Sequence, residues 1–184
     1  MNGIEVMVAE HDNILRFNNV VRRACAGILE GKEVCIGDFR NMVEFVRGYA
    51  DRHHHGKEEK ILFVDMVAHL GQIGRNLVTH GMLVEHDLAR LHISELEAAL
   101  NQYETGYSVG AKLDIITSAV AYTKLLKRHI DKENAIVYVY AEKNLPKEVM
   151  AGANAQMETA EKEAAESGVQ KKYLAILAAL ESKY

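Results

Sequence analysis

The sequence predicts an all-α protein, folded as an up-down-up-down four-helix bundle with a C-terminal helical extension. Three observations lead to this prediction. The 184 residues include one proline and no tryptophan, and Ala, Leu, Glu and Lys, which favour helix, are abundant. Four long segments carry apolar residues at helical period, and short turns separate them. No stretch shows the bounded alternation of apolar and polar residues that is typical of strands.

Glycines, a proline and polar turns delimit the bundle helices. Asp38 is a suitable N-cap for the second helix, and Gly71 and Gly74 are expected to separate the second helix from the third. Pro146 is expected to end the fourth helix. The four helices are predicted over about residues 3–29, 38–70, 75–103 and 111–144.

The size of the chain suits one domain or one domain with an extension. We divide it into a bundle over residues 1–146 and a C-terminal helical extension over residues 147–184. The end of the extension carries an apolar stripe at helical spacing, made by Tyr173, Ile176, Leu177, Leu180 and Tyr184. This stripe predicts either a further helix packed on the bundle or a surface for a partner or a second copy of the chain.

Composition excludes several classes of function. The net charge of -4 provides no basic footprint for nucleic acid and no polybasic patch for a membrane surface. The longest apolar stretches, residues 135–141 and 173–180, are too short to span a bilayer. Acidic residues near the start argue against a secretory signal, and Cys25 and Cys35 are expected to be reduced. We therefore expect a cytoplasmic protein.

The chain nearly repeats one pattern of metal-ligating residue types. Each repeat holds two histidines and one glutamate, namely His11, His54 and Glu58 in the first repeat and His86, His129 and Glu133 in the second. The two histidines lie 43 positions apart in both repeats, and each residue of the first repeat reappears 75 positions later. Matched imidazoles and carboxylates indicate a two-metal site with approximate two-fold symmetry.

Helix geometry favours a buried site. His54 and Glu58, like His129 and Glu133, are separated by four positions and therefore share a helix face, which is otherwise apolar. Burying an unpaired carboxylate costs several kcal/mol, and metal coordination compensates that cost. A single histidine on such a face is more often a hydrogen-bonded core residue, but the recurrence of the whole set favours metal ligands. Nitrogen and oxygen ligands without thiolate suit iron, manganese or zinc.

Other metal and catalytic motifs are absent from the sequence. It contains neither the His-Glu-x-x-His pattern of zinc proteases nor the Glu-x-x-His pattern of ferritin-like di-iron bundles. Two cysteines are too few for a thiolate zinc site. There is no glycine-rich phosphate loop and no nucleophile motif.

Four motifs together resemble those of the hemerythrin-like (HHE cation-binding) family, of bacterial or archaeal type. They are Glu10-His11-Asp12, His54-His55-Gly56-Lys57-Glu58-Glu59, Glu85-His86-Asp87 and His129-Ile130-Asp131-Lys132-Glu133. The resemblance covers about residues 5–145 and implies a four-helix bundle with two non-haem iron ions. It further implies that one iron is held by His11 and His54, that the other is held by His86 and His129, and that Glu58 and Glu133 bridge.

One position departs from the family pattern. Oxygen-carrying hemerythrins place a His-x-x-x-His pair on the third helix, whereas here the residue four positions before His86 is Met82. The implied ligand set is thus four histidines and two glutamates, with more open or water-filled positions. This argues against simple reversible oxygen carriage. The chain looks more like HHE-type proteins with proposed roles in oxygen or nitric oxide response, peroxide chemistry and iron handling.

The remaining histidines and tyrosines are interpreted more conservatively. His80 lies roughly 120° around the helix from His86 and is not expected to be a ligand. His53 and His55 are expected on other faces, solvated or as outer hydrogen-bond partners. Tyr122 and Tyr138 fit a core role, although either could contact a small ligand.

Two further alternatives stay open. If the register is shifted by one, His55 and Glu59 replace His54 and Glu58, although the match of Lys57 to Lys132 argues against that shift. The acidic neighbours of His11 and His86 could be partners of ligand histidines, or simply solvated helix charges. These neighbours are Glu10, Asp12, Glu85 and Asp87.

The sequence thus predicts a di-iron protein that binds dioxygen, peroxide or nitric oxide, and leaves open whether it is an enzyme. An alternative is a module that stores, donates or senses iron without turnover, with residues 147–184 as a partner or self-association surface. A plain helical scaffold with structural histidines is the third hypothesis.

Overall fold

A computed structural model describes residues 2–184, and every regular element in this range is helical. The α-helices are α1 (Gly3–Leu29), α2 (Ile36–Phe45), α3 (Phe63–His69), α4 (Gly71–Leu77), α5 (Leu83–Thr105), α6 (Val109–Lys132), α7 (Tyr138–Asn144), α8 (Lys147–Glu166) and α9 (Val169–Lys183). Wider π-helical turns interrupt them at π1 (Val46–His55), π2 (Glu58–Leu62), π3 (Val78–Met82) and π4 (Glu133–Val137). The all-α prediction is confirmed.

The four bundle helices are α1, the run from α2 to α3, the run from α4 to α5, and the run from α6 to α7. The second helix begins at Ile36 with Cys35 at its N-cap position, so the prediction of Asp38 as N-cap is wrong. Asp38 lies in the first helical turn, where a carboxylate suits the helix dipole, and it accepts a hydrogen bond from the Tyr184 hydroxyl at 2.7 Å.

The turn between the second and third bundle helices is tighter than predicted. Gly71 has a φ of 60°, and α4 begins there rather than near residue 75. Gly74 lies inside α4, where a Cβ would stand 2.6 Å from the backbone oxygen of Met66. This glycine therefore permits the close approach of α4 to α3 and does not break the helix.

The helices form a ring in which α1 packs on α6, α6 on α5, and α5 on α2 and π1. The C-terminal helices cover the remaining side. Helix α9 packs against α1, α2 and π1, and α8 packs against α1 and π2. The C-terminal extension thus lies over the groove between the first and second bundle helices.

Two apolar clusters fill the interior, and the residues of the predicted metal site lie between them. On α1, for example, Met7 belongs to the smaller cluster, Ile14 belongs to the larger one, and His11 lies between the two. Met82 is 3% exposed and packs in the smaller cluster, as does Met7, its counterpart 75 positions earlier.

The extension contributes to both clusters. The apolar stripe of α9 turns Tyr173, Leu177 and Leu180 into the larger cluster. Helix α8 places Met157 in the smaller one. The stripe therefore packs on the bundle, as one of the two interpretations predicted, but the extension forms two helices that meet at Gly168, with a φ of 72°. None of the helices in the described range is long and apolar enough to cross a membrane.

Candidate metal centre

The bundle brings the six predicted ligands together in one buried layer. Each of them is at most 2% exposed. Their ligand atoms, with those of His55, fall into two groups within which every atom lies within 4.8 Å of the others. One group is His11, His54, Glu58 and Glu133, and the other is His55, Glu58, His86 and His129. These seven residues are called the His/Glu cluster below.

The π-helical turns explain why His54 and His55 both reach the interior. In a regular α-helix consecutive side chains point about 100° apart, so only one of the two would face the core. Segment π1 ends at His55 and π2 begins at Glu58, and their i→i+5 hydrogen bonds widen each turn. His54 is 1% exposed and His55 is 2% exposed.

The first group joins α1 to the second and fourth bundle helices. The Nε2 atom of His11 lies 3.2 Å from Oε2 of Glu133. The imidazole rings of His11 and His54 meet edge to face, with 4.5 Å between centroids. The Nε2 atom of His54 lies 3.8 Å from Oε2 of Glu58. Two imidazoles and two carboxylates thus point at one small volume.

The second group joins the other three bundle helices. The Nε2 atoms of His86 and His129 face each other at 3.1 Å. Oε2 of Glu58 lies 3.5 Å from Nε2 of His86. Oε1 of Glu133 lies 3.0 Å from Nε2 of His129. His55 stacks on His86, with ring centroids 3.8 Å apart. Both glutamates therefore approach histidines of both groups, as bridging carboxylates would.

Each imidazole of the cluster is oriented by a partner at its outer nitrogen. The Nδ1 atom of His11 bonds to Asn134 at 2.8 Å, and that of His54 bonds to Glu10 at 2.7 Å. In the second group, Nδ1 of His86 bonds to Glu59 at 2.7 Å and Nδ1 of His129 bonds to Glu85 at 3.0 Å. The Nδ1 atom of His55 faces Asp51 at 3.4 Å. These bonds leave the Nε2 atoms pointing inward, the arrangement usual for metal-ligating histidines.

The acidic neighbours of the histidines divide into two kinds. Glu10 and Glu85 do act as outer partners, but each bonds a histidine on another bundle helix and not its own sequence neighbour. Asp12 and Asp87 are exposed, and Asp87 pairs with Arg90. Adjacent residues on a helix face different directions, so this cross-helix pairing had no local sequence signal.

Several buried atoms of the cluster have no hydrogen-bond partner. They are Nε2 of His54 and of His55, Oε2 of Glu58, and both carboxylate oxygens of Glu133. The imidazole nitrogens around Glu133 approach its oxygens without hydrogen-bond alignment. Unpartnered buried polar atoms are costly, and here all of them are good ligands for a cation. The donor set therefore fits a metal centre.

In the metal-free cluster, the two carboxyl groups of Glu58 and Glu133 differ in protonation. Burial and the nearby Glu133 carboxylate raise the pKa of Glu58 well above its usual value. Burial acts against ionisation of Glu133 as well, but the charge of His129 and the close approach of the His11 and His86 nitrogens hold its pKa well below the usual value. The metal-free cluster therefore has one neutral and one ionised carboxyl group.

The equivalent histidines of the two repeats also differ. Burial and the neighbouring His11 lower the pKa of His54 to about 4, although Glu10 opposes this shift. For His129, burial acts in the same downward direction, but the Glu133 and Glu85 carboxylates outweigh it and raise the pKa to about 9. His129 is thus a cation at neutral pH in the metal-free protein, and His54 is neutral.

Sequence reasoning missed two features of the site, namely the position of His55 inside the cluster and the contacts of the Tyr138 hydroxyl. The expectation that His55 is solvated or an outer partner is wrong, since its ring lies inside the cluster. His53 is also buried, and it lies 2.8 Å from Glu10 as an outer contact. The Tyr138 hydroxyl donates to Glu58 and lies 3.5 Å from Nε2 of His11. The adjacent histidines at 54 and 55 were the sole signal for the first feature.

The other candidate residues lie outside the cluster. His80 is exposed and contacts only Thr79 through its ring, while the shifted register fails because Glu59 bonds the outer nitrogen of His86. Tyr122 is 1% exposed, and its hydroxyl has no partner. It lines a cavity of about 420 Å³ between π1 and α5 that reaches His55.

The family comparison agrees with this geometry. The profile of the hemerythrin HHE cation-binding domain matches residues 2–141. Searches of curated proteins and of solved structures gave no significant match. The matched segment contains every residue of the His/Glu cluster, and a cation-binding domain suits its buried ligands. The chain belongs to the hemerythrin HHE cation-binding domain family.

Proposed function

We propose that the protein holds two non-haem iron ions and binds a small ligand there, such as dioxygen, peroxide or nitric oxide. The observation that carries this proposal is the buried convergence of five imidazoles and two carboxylates with unpartnered ligand atoms. Iron, manganese and zinc all accept such ligands, and family membership favours iron. We also propose a cytoplasmic location, which the two free cysteines support.

The predicted ligand set, enlarged by His55, divides between two metal positions. His11 and His54 serve one position, and His55, His86 and His129 serve the other. Glu58 and Glu133 bridge them, a role supported by their approach to histidines of both groups. His55 thus supplies a third imidazole from the second bundle helix, where oxygen-carrying hemerythrins take it from the third.

The unequal division suggests where an external ligand binds. The position served by His11 and His54 has one imidazole fewer, so it has room for a ligand from solution. The Tyr138 hydroxyl lies beside this position, at 3.5 Å from Nε2 of His11. It donates its one proton to Glu58, and its oxygen can still accept a hydrogen bond from a protonated ligand such as peroxide. Bound iron would supply Lewis-acid and redox chemistry, and no protein nucleophile is needed.

Metal analysis of the bridging variants tests this proposal. Wild-type protein expressed with iron available should contain two irons per chain and show near-ultraviolet and visible absorption of ferric iron. Glu58→Ala and Glu133→Ala should lower the iron content and remove that absorption. Glu142→Ala, at an exposed position of α7, is the matched control. Retention of two irons in both bridging variants would contradict the bridging roles.

Ligand and turnover measurements then separate a carrier, a sensor and an enzyme. Addition of dioxygen, peroxide or nitric oxide to the iron-loaded protein should change its absorption spectrum for at least one of the three. Steady-state peroxide consumption faster than that of free iron would identify an enzyme. One zinc per chain, or a stably folded protein that binds no metal, would contradict the di-iron proposal.

A further inference from the structure

A carboxylate of the C-terminal extension reaches the surroundings of the His/Glu cluster. Glu161 on α8 lies outside residues 2–141, the segment that the family profile matches. Its carboxylate accepts a hydrogen bond from the Lys57 ammonium group, and it lies 3.5 Å from Nε2 of His53. Both contacts are with the π-rich segment that carries His54 and Glu58.

From Lys57 the contacts lead to a ligand histidine. The Lys57 ammonium group also donates to Glu10, so it lies between the carboxylates of Glu10 and Glu161. Glu10 in turn bonds Nδ1 of His54 at 2.7 Å. Lys57 is 3% exposed and Glu10 is 5% exposed, so solvent screens these charges weakly. One chain of charged contacts, buried at Lys57 and Glu10 and partly exposed at Glu161, therefore joins α8 to His54.

Helix α8 is held in place independently of this contact. Its Asn154 side chain accepts a hydrogen bond from the backbone nitrogen of Gly3 at 2.8 Å, and Met157 packs against the same glycine. The Gln170 side chain on α9 donates to the other oxygen of Glu161 at 2.9 Å. Glu161 is thus presented to Lys57 by a docked helix pair.

The second repeat contains the equivalent pair of glutamate and lysine, but without a contact to the C-terminal extension. There Glu85 bonds Nδ1 of His129, and Lys132 bonds Glu85, so the pair Glu10–Lys57 recurs 75 positions later. No second carboxylate contacts Lys132 among the described residues. The side chain of Lys132 is 45% exposed, so water solvates it in place of a carboxylate. The extension therefore completes one pair and leaves the other to solvent.

Charge balance indicates what Glu161 does. A buried ammonium group requires nearby carboxylates, and Lys57 divides its hydrogen bonds between two of them. Without the charge of Glu161, the whole attraction of Lys57 would fall on Glu10. That carboxylate would then be drawn from Nδ1 of His54, whose ring orientation and basicity depend on it.

We propose that Glu161 is a positioning residue for the metal site and acts on His54 through Lys57 and Glu10. The C-terminal helix pair is thereby part of the metal centre on one side only. This inference rests on the proposed metal site, in which His54 is a ligand. The metal must therefore be held less firmly when the Glu161 charge is removed, while the number of metal ions at saturation stays the same.

Glu161→Gln tests the proposal, with Glu158→Gln as the matched control. Glu158 lies on the same helix, is exposed, and pairs only with Lys162. Iron-loaded protein is challenged with an excess of a strong chelator, and the rate of iron loss is followed. Glu161→Gln should release iron about tenfold faster and should shift the midpoint potential, as outer-partner substitutions do. Glu158→Gln should match the wild type, and Glu161→Asp should be intermediate.

A second measurement needs no metal. The ¹⁵N chemical shifts of the His54 ring in metal-free protein report the hydrogen bond at its Nδ1 atom, and they should move in Glu161→Gln but not in Glu158→Gln. If wild-type protein fails to bind iron, the proposed function fails, and this measurement still decides whether Glu161 positions the His54 ring. An unchanged His54 nitrogen shift overturns the inference. So does an unchanged release rate from fully loaded Glu161→Gln protein that retains its helix content.

Discussion

The helix pair formed by α1 and π1 carries His11 and His54, and the pair formed by α5 and α6 carries their counterparts His86 and His129, yet the two pairs are packed differently. Helices α5 and α6 pack directly along each other, whereas α9 packs on both α1 and π1 and α8 covers the neighbouring π2. The candidate ligands of the two repeats lie 75 positions apart in the sequence, but their surroundings differ. The same residue types are therefore buried by different elements on the two sides of the cluster.

The difference is clearest at the two outer glutamates. Glu10 lies in a buried group with two histidines and Lys57, and its pKa is held far below the usual range, because these hydrogen bonds and charges outweigh burial. Glu85 is nearer the solvent, and hydrogen bonds from His129 and Lys132 lower its pKa to about 2. The Glu10–Lys57 pair is thus buried, whereas the equivalent Glu85–Lys132 pair is partly exposed to solvent.

Inside the cluster, two substitutions between the repeats break the symmetry. The counterpart of His55 is Ile130, and the counterpart of Tyr138 is Phe63. The first difference adds an imidazole beside His86 and His129, and the second places a hydroxyl beside His11. An approximate two-fold sequence repeat therefore produces two chemically different groups of candidate ligands.

The largest expected effect is the loss of stability when the buried Lys57 is substituted. Lys57→Met leaves the carboxylates of Glu10 and Glu161 without their shared ammonium group, and should destabilise the metal-free protein by about 3–5 kcal/mol. Lys132→Met breaks an exposed pair and should cost less than about 1 kcal/mol. Urea unfolding of both variants followed by circular dichroism measures the difference. Equal losses would show that α8 does not distinguish the two pairs.

A second substitution, His55→Ile, gives the first repeat the residue type that the second repeat has at the equivalent position, Ile130. His55→Ile removes the additional imidazole and should weaken binding of one of the two metals at least about tenfold. The other metal should be retained with nearly unchanged affinity. Competition with a chelator, with His92→Ala as a half-exposed control, resolves the two binding steps. Loss of both metals, or of neither, would contradict the assignment of His55 to one position.

Much of this comparison could be predicted from the sequence, and the reasons are physical. Helix extents followed from glycines, one proline and the apolar period, because each of these acts on the local backbone. The six histidines and glutamates that lie in one buried layer were singled out by their matched spacing, and within them His54 and Glu58, like His129 and Glu133, share a face because i and i+4 do so whatever the tertiary packing. Met82 was correctly singled out as a departure, and it packs as core.

The remaining features depend on packing between helices and left no local signal. The π-helical turns that bring His55 inward were not predicted from the sequence. The bonds of Glu10 and Glu85 cross between helices, so their partners could not be read from neighbouring positions. Glu161 lies in a segment rich in other glutamates, and only the docking of α8 distinguishes it from them. The predicted N-cap at Asp38 failed for the same reason, since that carboxylate pairs with α9.

The different pKa values of His129 and His54 predict how metal binding depends on pH. His129, with its pKa raised to about 9, must release a proton when metal binds, whereas His54, with its pKa lowered to about 4, has none to release above pH 6. Protonated Glu58 adds to the same requirement. Apparent metal affinity should therefore rise between pH 6.5 and about 9, by up to about tenfold per pH unit for each proton displaced.

The same proton has the opposite effect on folding of the metal-free protein. A raised pKa stabilises the folded state fully below the unfolded value of 6.5, and this contribution is lost as pH rises through about 9. Metal titrations at several pH values, with an indicator dye to count released protons, test the first effect. Urea unfolding of metal-free protein over the same range tests the second. Metal affinity that does not change with pH would contradict the charged state assigned to His129.

The smallest expected effect lies at the other asymmetric position. Tyr138→Phe introduces the residue found at its counterpart, Phe63, and removes the hydroxyl that donates to buried Glu58. The metal-free protein should lose about 1–2 kcal/mol of stability, because one carboxyl oxygen is left without a partner. Tyr140→Phe, on the same helix and half-buried, should cost less.

Iron binding should reduce the cost of Tyr138→Phe, because a bridging Glu58 would gain a metal ion in place of the lost donor. Thermal unfolding of both tyrosine variants, with and without iron, measures this coupling. An equal cost in both states would mean that the hydroxyl and the metal do not share Glu58. In that case the asymmetry between Tyr138 and Phe63 would concern packing alone.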